Sequence, residues 1–176
     1  MRIILNIGHG GIGRNYDSGA IAADGTHEHS FNRDELAPLL IRELEARGHA
    51  VTVIIQKASF GELPARINAL NPELILSLHF NAYNGKATGS EVLHWRTSRK
   101  SKALAENIQK GTVAALGLAD RGAKGLAKGR GSELLRRTNA PCVILEPFFG
   151  DNPADLARAR ENLSTLAKAI AASLDE

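Results

Sequence analysis

The chain carries one cysteine, one tryptophan and one methionine in 176 residues, and aromatic side chains make up only 5% of it. A single cysteine, Cys142, excludes an internal disulfide. Its neighbours Val143, Ile144 and Leu145 point to a thiol buried in a strand rather than to a nucleophile. Long apolar runs are missing too. Only Ile3 to Ile7 stand between Arg2 and Gly8, so neither a signal peptide nor a membrane span is expected. Repeats, low-complexity stretches and linkers are absent, which makes residues 1–176 one domain. The net charge of +3 is weak, and no aromatic-basic module accompanies it, so nucleic acid is not an expected partner.

What is present is a globular composition, with 43% apolar and 23% charged residues, enough to bury a real core. Strand-like runs cover Arg2 to Ile7, Ala50 to Ile55, Leu74 to His79, Gly89 to Trp95 and Pro141 to Glu146. Several are too continuously apolar to face water on either side. Helical patterns alternate with them, from about His27 to Arg47, Phe60 to Leu70, Ser98 to Leu116 and Pro153 to Ser173. The expected fold is α/β, a mostly parallel twisted sheet of about five to six strands with helices on both faces. The last segment, with Leu156, Leu163, Leu166, Ile170 and Leu174 at helical spacing, reads as a core-packing helix, or else as a membrane-active tail.

The stretch Gly8-His9-Gly10-Gly11-Ile12-Gly13 matches G-x-G-x-x-G after a strand, yet it is no nucleotide loop. That fingerprint needs a helix to begin at the glycines and an acid about 20 residues on, at a second strand end. Here Arg14 to Gly19 has turn composition, and the second strand ends at Gln56.

In open α/β sheets, ligands bind beyond the carboxyl ends of the strands. His9 follows the first strand, His79 closes the third run and Glu146 closes the last, while Glu28 lies in the first turn of the long helix. Two imidazoles and one carboxylate suit a hydrolytic zinc site with one position open for water, and leave a second glutamate free as the base. Glu146, on a rigid strand end, can take a proton from water and deliver it to a leaving amine. Each residue alone has an ordinary explanation as a loop or helix-start residue; the joint placement singles them out. His27, His29, His49 and His94 lack that placement, with His94 on an expected edge strand; of these, His29 is the nearest competitor as a ligand.

Read in order, Gly8-His9-Gly10-Gly11, Asp17-Ser18-Gly19-Ala20, Glu28-His29-Ser30-Phe31-Asn32, Ser77-Leu78-His79-Phe80-Asn81-Ala82 and Leu145-Glu146-Pro147-Phe148-Phe149 resemble the zinc-dependent N-acetylmuramoyl-L-alanine amidases of the amidase-3 family. The resemblance spans essentially the whole chain and implies a catalytic amidase domain with no separate wall-binding domain. It implies Zn2+ held by His9, Glu28 and His79, with Glu146 catalytic. It further implies peptidoglycan as substrate, cut at the amide joining N-acetylmuramic acid to L-alanine. A phage or prophage endolysin is the expected type, made in the cytoplasm, acting on the wall after release and working as a monomer; a secreted autolysin is its neighbour.

The glycine-rich turn then lets the backbone bend around a metal-bound His9, through Gly8, Gly10 and Gly11. Asn6 stands where the family often has an Asp, so an amide is expected in place of a carboxylate that orients the histidine. Asp17 either hydrogen-bonds a ligand histidine or forms an Asx turn with Gly19. Asn81 either contacts substrate or caps the following loop. Arg66, Arg130 and Arg137 are candidate substrate-binding cations. The basic segment from Gly117 to Thr138 reads as a solvated loop with a short helix, or as a cationic rim for an anionic substrate. Two other readings stand beside the amidase: a zinc peptidase cutting within the stem peptide, and a wall-binding module without catalysis.

Overall fold

The computed structural model describes residues 1–10, 17–55 and 61–175. Gly11 to Tyr16, Gln56 and Phe60, which bear on the glycine-rich turn, the second strand end and the start of the second helix, lie outside them.

Six strands form one sheet: β1 (Arg2–Ile7), β2 (Ala50–Ile55), β3 (Leu74–Leu78), β4 (Ser90–Trp95), β5 (Asp120–Leu126) and β6 (Cys142–Glu146). They lie in the order β2-β1-β3-β6-β4-β5, with every neighbouring pair parallel except the antiparallel β4 and β6. Alternation along each strand sends side chains to two separate cores. Ile3, Leu5, Ile7, Leu74, Leu76, Leu78, Val143 and Leu145 share one core with Leu40, Leu44, Ile108, Leu166 and Ile170 of the helices. Ile4, Ile54, Ile75, Cys142 and Ile144 face the other, beneath Leu63, Ile67, Leu134 and Leu135. Because both faces are covered, the central strands read as unbroken apolar runs. Cys142 is buried among them, and that burial pushes its thiol up to about 12, so it is inert at neutral pH.

The first long helix is not uniform. α1 (Glu28–Phe31) passes through a π-helical stretch at Asn32–Leu36 into α2 (Ala37–Ala46). Buried Asn32 donates from Nδ2 to the Glu28 carbonyl at 3.1 Å, occupying an acceptor in the widened turn. α3 (Leu63–Asn68) and α4 (Arg99–Leu116) follow the expected pattern, α4 capped by Ser98 and stopped by Gly117 at φ 63°. The final pattern divides at Asn162 into α6 (Pro153–Glu161) and α7 (Leu163–Ala172). Leu156, Leu166 and Ile170 are buried, so this segment packs the core. Among the described residues, no helix is long and apolar enough to cross a membrane.

The basic segment differs from the expected loop. It forms β5 at the sheet edge, then α5 (Ser132–Arg137). Gly122, Gly125 and two cations obscure β5, which is a strand because β4 supplies a ladder on one side. β4 therefore lies inside the sheet, and His94 is buried there rather than on an edge, with Nδ1 on the Trp95 carbonyl at 3.0 Å.

Candidate active site

The carboxyl ends of β1, β3 and β6 lie side by side and present His9, His79 and Glu146 to one cavity of about 490 Å³. Glu28 reaches the same cavity from the start of α1, whose backbone is tied to the preceding loop by Glu28 N–H donating to the Ala20 carbonyl at 2.9 Å. One donor atom each from His9, Glu28 and His79 lies within 4.8 Å of the others.

Glu28 is the centre of this group. Its Oε1 lies 2.8 Å from His79 Nδ1 and accepts from the Phe80 N–H at 3.2 Å. Its Oε2 lies 3.2 Å from His9 Nε2 and accepts from the Ala20 N–H at 3.0 Å. Burial works to raise the Glu28 pKa, but the bonds to His79 and His9 outweigh it and hold the carboxyl well below the ordinary range. Burial likewise works to lower the His9 pKa, and the Glu28 and Asp17 carboxylates overcome it, so the net shift is upward.

Asp17 does both things expected of it. Its Oδ2 lies 2.8 Å from His9 Nδ1, and its Oδ1 accepts from the Gly19 N–H at 3.0 Å. With Nδ1 committed to Asp17, His9 presents Nε2 to the cavity. Asn6 does not take that part. Its side chain lies on the opposite face of the sheet from Ile7 and donates from Nδ2 to Ser77 Oγ at 2.7 Å, between register partners of β1 and β3. His29 is also not aimed at the cavity; its Nδ1 lies 2.9 Å from the Gly8 carbonyl.

The glycines serve close approach as much as bending. A Cβ on Gly8 would lie 2.2 Å from Cε1 of His79, and one on Gly19 would lie 2.7 Å from Glu28 Oε2 and 2.8 Å from His9 Cδ2. His9 itself sits at φ 61° and Gly10 at φ 100°, a left-handed turn that costs a non-glycine residue roughly 1–3 kcal/mol. The left-handed backbone of His9 is the site feature that pattern reading missed, since a positive φ at a non-glycine residue leaves no mark in the composition.

Glu146 lines the same cavity, half-buried, with Oε2 out of water and without a hydrogen-bond partner among the described residues. Burial first, then the Glu28 and Glu91 carboxylates, push its pKa well above the usual carboxylate range, opposed by Arg130. Such a group holds a proton readily. Below it, Phe31, Phe80 and Phe148 form a triangle of buried rings with centroids 5.3 to 5.9 Å apart. Each ring belongs to a segment bearing a site residue, so their packing fixes Glu28, His79 and Glu146 relative to one another.

Of the four expected substrate contacts, Asn81 and Arg130 line the cavity. Asn81 also caps the chain locally, its Oδ1 accepting from the Ala82 N–H at 3.1 Å. Arg137 does not line it: its Nη1 donates to the Gly61 carbonyl at 3.2 Å and lies 3.7 Å from Glu133. Arg66 stands on α3 and is likewise not part of its wall. Elsewhere in the basic segment, Arg121 and Lys124 pair with Glu91, and Arg136 with Glu133.

Two imidazole nitrogens and one carboxylate oxygen, preset by Asp17 and by the space above Gly8 and Gly19, fit a divalent metal with N and O donors and an open position. Residues 3–176 match the family model Amidase_3, described as N-acetylmuramoyl-L-alanine amidase. The chain is 32% identical over 165 residues to N-acetylmuramoyl-L-alanine amidase LytC of Bacillus subtilis, covering 90% of this chain and 31% of LytC. It thus spans about a third of that relative, and 52% of the probable cell wall amidase LytH of Staphylococcus aureus, to which it is 28% identical over 92% of its own length. Among solved structures, the catalytic domain of the CD27L endolysin targeting Clostridia difficile superposes with a TM-score of 0.84 at 29% identity, covering 100% of this chain and 98% of that one. Cwp6 from Clostridium difficile gives 0.85 at 26% identity, covering 99% of this chain and 28% of Cwp6. The chain belongs to the Amidase_3 family of N-acetylmuramoyl-L-alanine amidases.

Proposed function

We propose that the chain is a zinc-dependent hydrolase that cleaves the amide between N-acetylmuramic acid and L-alanine in peptidoglycan. The observation that carries this reading is the convergence of His9, Glu28 and His79 in one cavity that Glu146 also lines. His9 through Nε2, Glu28 through its carboxylate and His79 through Nδ1 would hold the zinc. The ion supplies a Lewis acid that polarises the amide carbonyl and acidifies water.

Glu146 is the proton carrier. Its carboxylate takes a proton from the attacking water and returns it to the alanine nitrogen as the carbon–nitrogen bond breaks. A carboxyl whose pKa is raised by burial and like charge accepts that first proton more readily than an exposed one. Arg130, which lines the same cavity, opposes part of that rise. Asn81 holds the chain after His79 in place.

The endolysin role rests on the end-to-end likeness to the CD27L catalytic domain. In this reading the protein is made in the cytoplasm, acts as a monomer and reaches the wall after release.

The deciding experiment is mass spectrometry of the products from purified peptidoglycan, with zinc-loaded protein and a chelated control. Free stem peptides beginning at alanine, seen only with metal, are the expected result. Shortened stems still joined to sugar would replace the amidase by a stem peptidase. No release, with sacculus binding retained, would leave a wall-binding module.

A further inference from the structure

Beside the catalytic cavity lies a second one, of about 450 Å³, and Asn81 with Ala82 lines both. Its floor is Glu91 on β4, the register partner of Glu146 across the antiparallel β4–β6 pair. The two cavities therefore adjoin along the same sheet edge.

Glu91 is a buried carboxylate that gathers three donors. Asn81 Nδ2 donates to Oε1 at 3.1 Å, while Arg121 Nε and Lys124 Nζ both donate to Oε2 at 2.6 Å. Burial works to raise its pKa, and Lys124 and Arg121 more than offset this. Both cations meet on the one Glu91 oxygen, and Arg121 is the one of the two that lines the cavity.

Arg121 is also held in a set orientation. Its guanidinium carbon lies 4.9 Å from the centroid of the Phe149 ring, and Nε is committed to Glu91. The two terminal nitrogens make no hydrogen bond among the described residues, on a side chain that lines the cavity. A guanidinium fixed at one edge, with its other donors unspent, is preorganised for a planar anion such as a carboxylate.

The geometry points to this second cavity as a carboxylate subsite, in which Arg121, backed by Lys124, receives the free carboxylate of the second stem residue, next to the alanine. It rests on the amidase reading for which substrate lies in the first cavity. The subsite makes the protein select stems whose second residue is an acid over stems in which it is amidated.

The test uses the full chain and a pair of ligands differing at one group: the tripeptide L-alanyl-γ-D-glutamyl-L-lysine and the same peptide with the glutamyl α-carboxylate amidated. Calorimetric binding to the zinc-loaded protein is expected to favour the acid about tenfold, the scale of one charge-assisted hydrogen bond. Arg121→Gln should remove that preference, and Lys124→Gln should reduce it, the second variant standing in should the first fail to fold. In turnover of the matching muramoyl peptides, Arg121→Gln should raise KM for the acid to that of the amide, with kcat little changed.

Equal binding of acid and amide by the unaltered protein would overturn the subsite, as would variants that weaken both ligands alike. The amidase reading fails separately: acid preference in binding, without cleavage of either muramoyl peptide, would leave the subsite standing and remove the reaction.

Discussion

The imidazole of His79 occupies the space that any side chain at position 8 would need, with the nearest approach of a Cβ to Cε1 only 2.2 Å. The atoms in conflict belong to a ring whose Nδ1 is committed to Glu28, so the ring cannot swing aside without leaving the His9–Glu28–His79 group. Gly8→Ala is therefore expected to lower zinc affinity by about 10–100-fold, the scale seen when the support of a metal ligand is disturbed. Competitive chelator titration reads this directly, and unchanged affinity would show that the ring has room to shift.

Asp17 is the group that orients His9. Asp17→Asn can keep the Gly19 turn through its amide oxygen but loses the carboxylate beside Nδ1. Zinc affinity should fall by about tenfold or more with the fold intact. Asp17→Ala should weaken both. If Asn and Ala behave alike in a thermal melt as well as in zinc binding, the turn contributes nothing of its own.

Glu146 and His79 are expected to separate chemistry from metal retention. Glu146→Ala should keep the zinc and lose activity by several orders of magnitude, whereas His79→Ala should lose both. Metal analysis of the purified variants decides it; full zinc in the His79 variant would exclude His79 as a ligand.

Opposite pH effects follow from Glu146 and Glu28. Glu146 has a pKa raised by folding, so its contribution is present below the ordinary carboxylate pKa and is lost as pH rises through the raised value. Glu146→Gln should raise Tm of the metal-free protein at neutral pH and change it little near about pH 4. Glu28 has a lowered pKa, so its contribution is present above the ordinary carboxylate pKa and is lost as pH falls. Glu28→Gln should lower Tm at neutral pH. Calorimetry across the range checks both signs, and a lower Tm for Glu146→Gln at neutral pH would contradict the first.

Phe148 is fully buried against Phe31 and Phe80 directly beneath the site. Phe148→Ala is expected to cost about 3–5 kcal/mol in denaturant unfolding. Residual folded protein should also show reduced turnover, because the residue lies two positions after Glu146. A stability loss with wild-type turnover would mean that the triangle supports the fold alone.

The division of labour between sequence and tertiary structure follows from what each physical signal contains. Continuous apolar runs marked β1, β3 and β6 because a strand covered on both faces has no polar side to show. The chain positions of His9, His79 and Glu146 at the ends of those runs, with Glu28 at a helix start, sufficed to place all four at one sheet edge. The Gly-His-Gly-Gly and Asp-x-Gly blocks likewise announced a constrained turn. β5 was hidden because an edge strand of Asp120–Leu126, with glycines and cations, carries no periodicity, and only its ladder with β4 makes it a strand. The same reason explains Arg66 and Arg137, whose charge was legible in the chain but whose direction is set by what α3 and α5 pack against. Asn6 turned from the histidine to Ser77 through strand register, and Glu91 became the neighbour of Glu146 through an antiparallel pairing. Local pattern thus determined the elements and the residue types of the candidate metal site, while pairing between distant strands decided which charges meet.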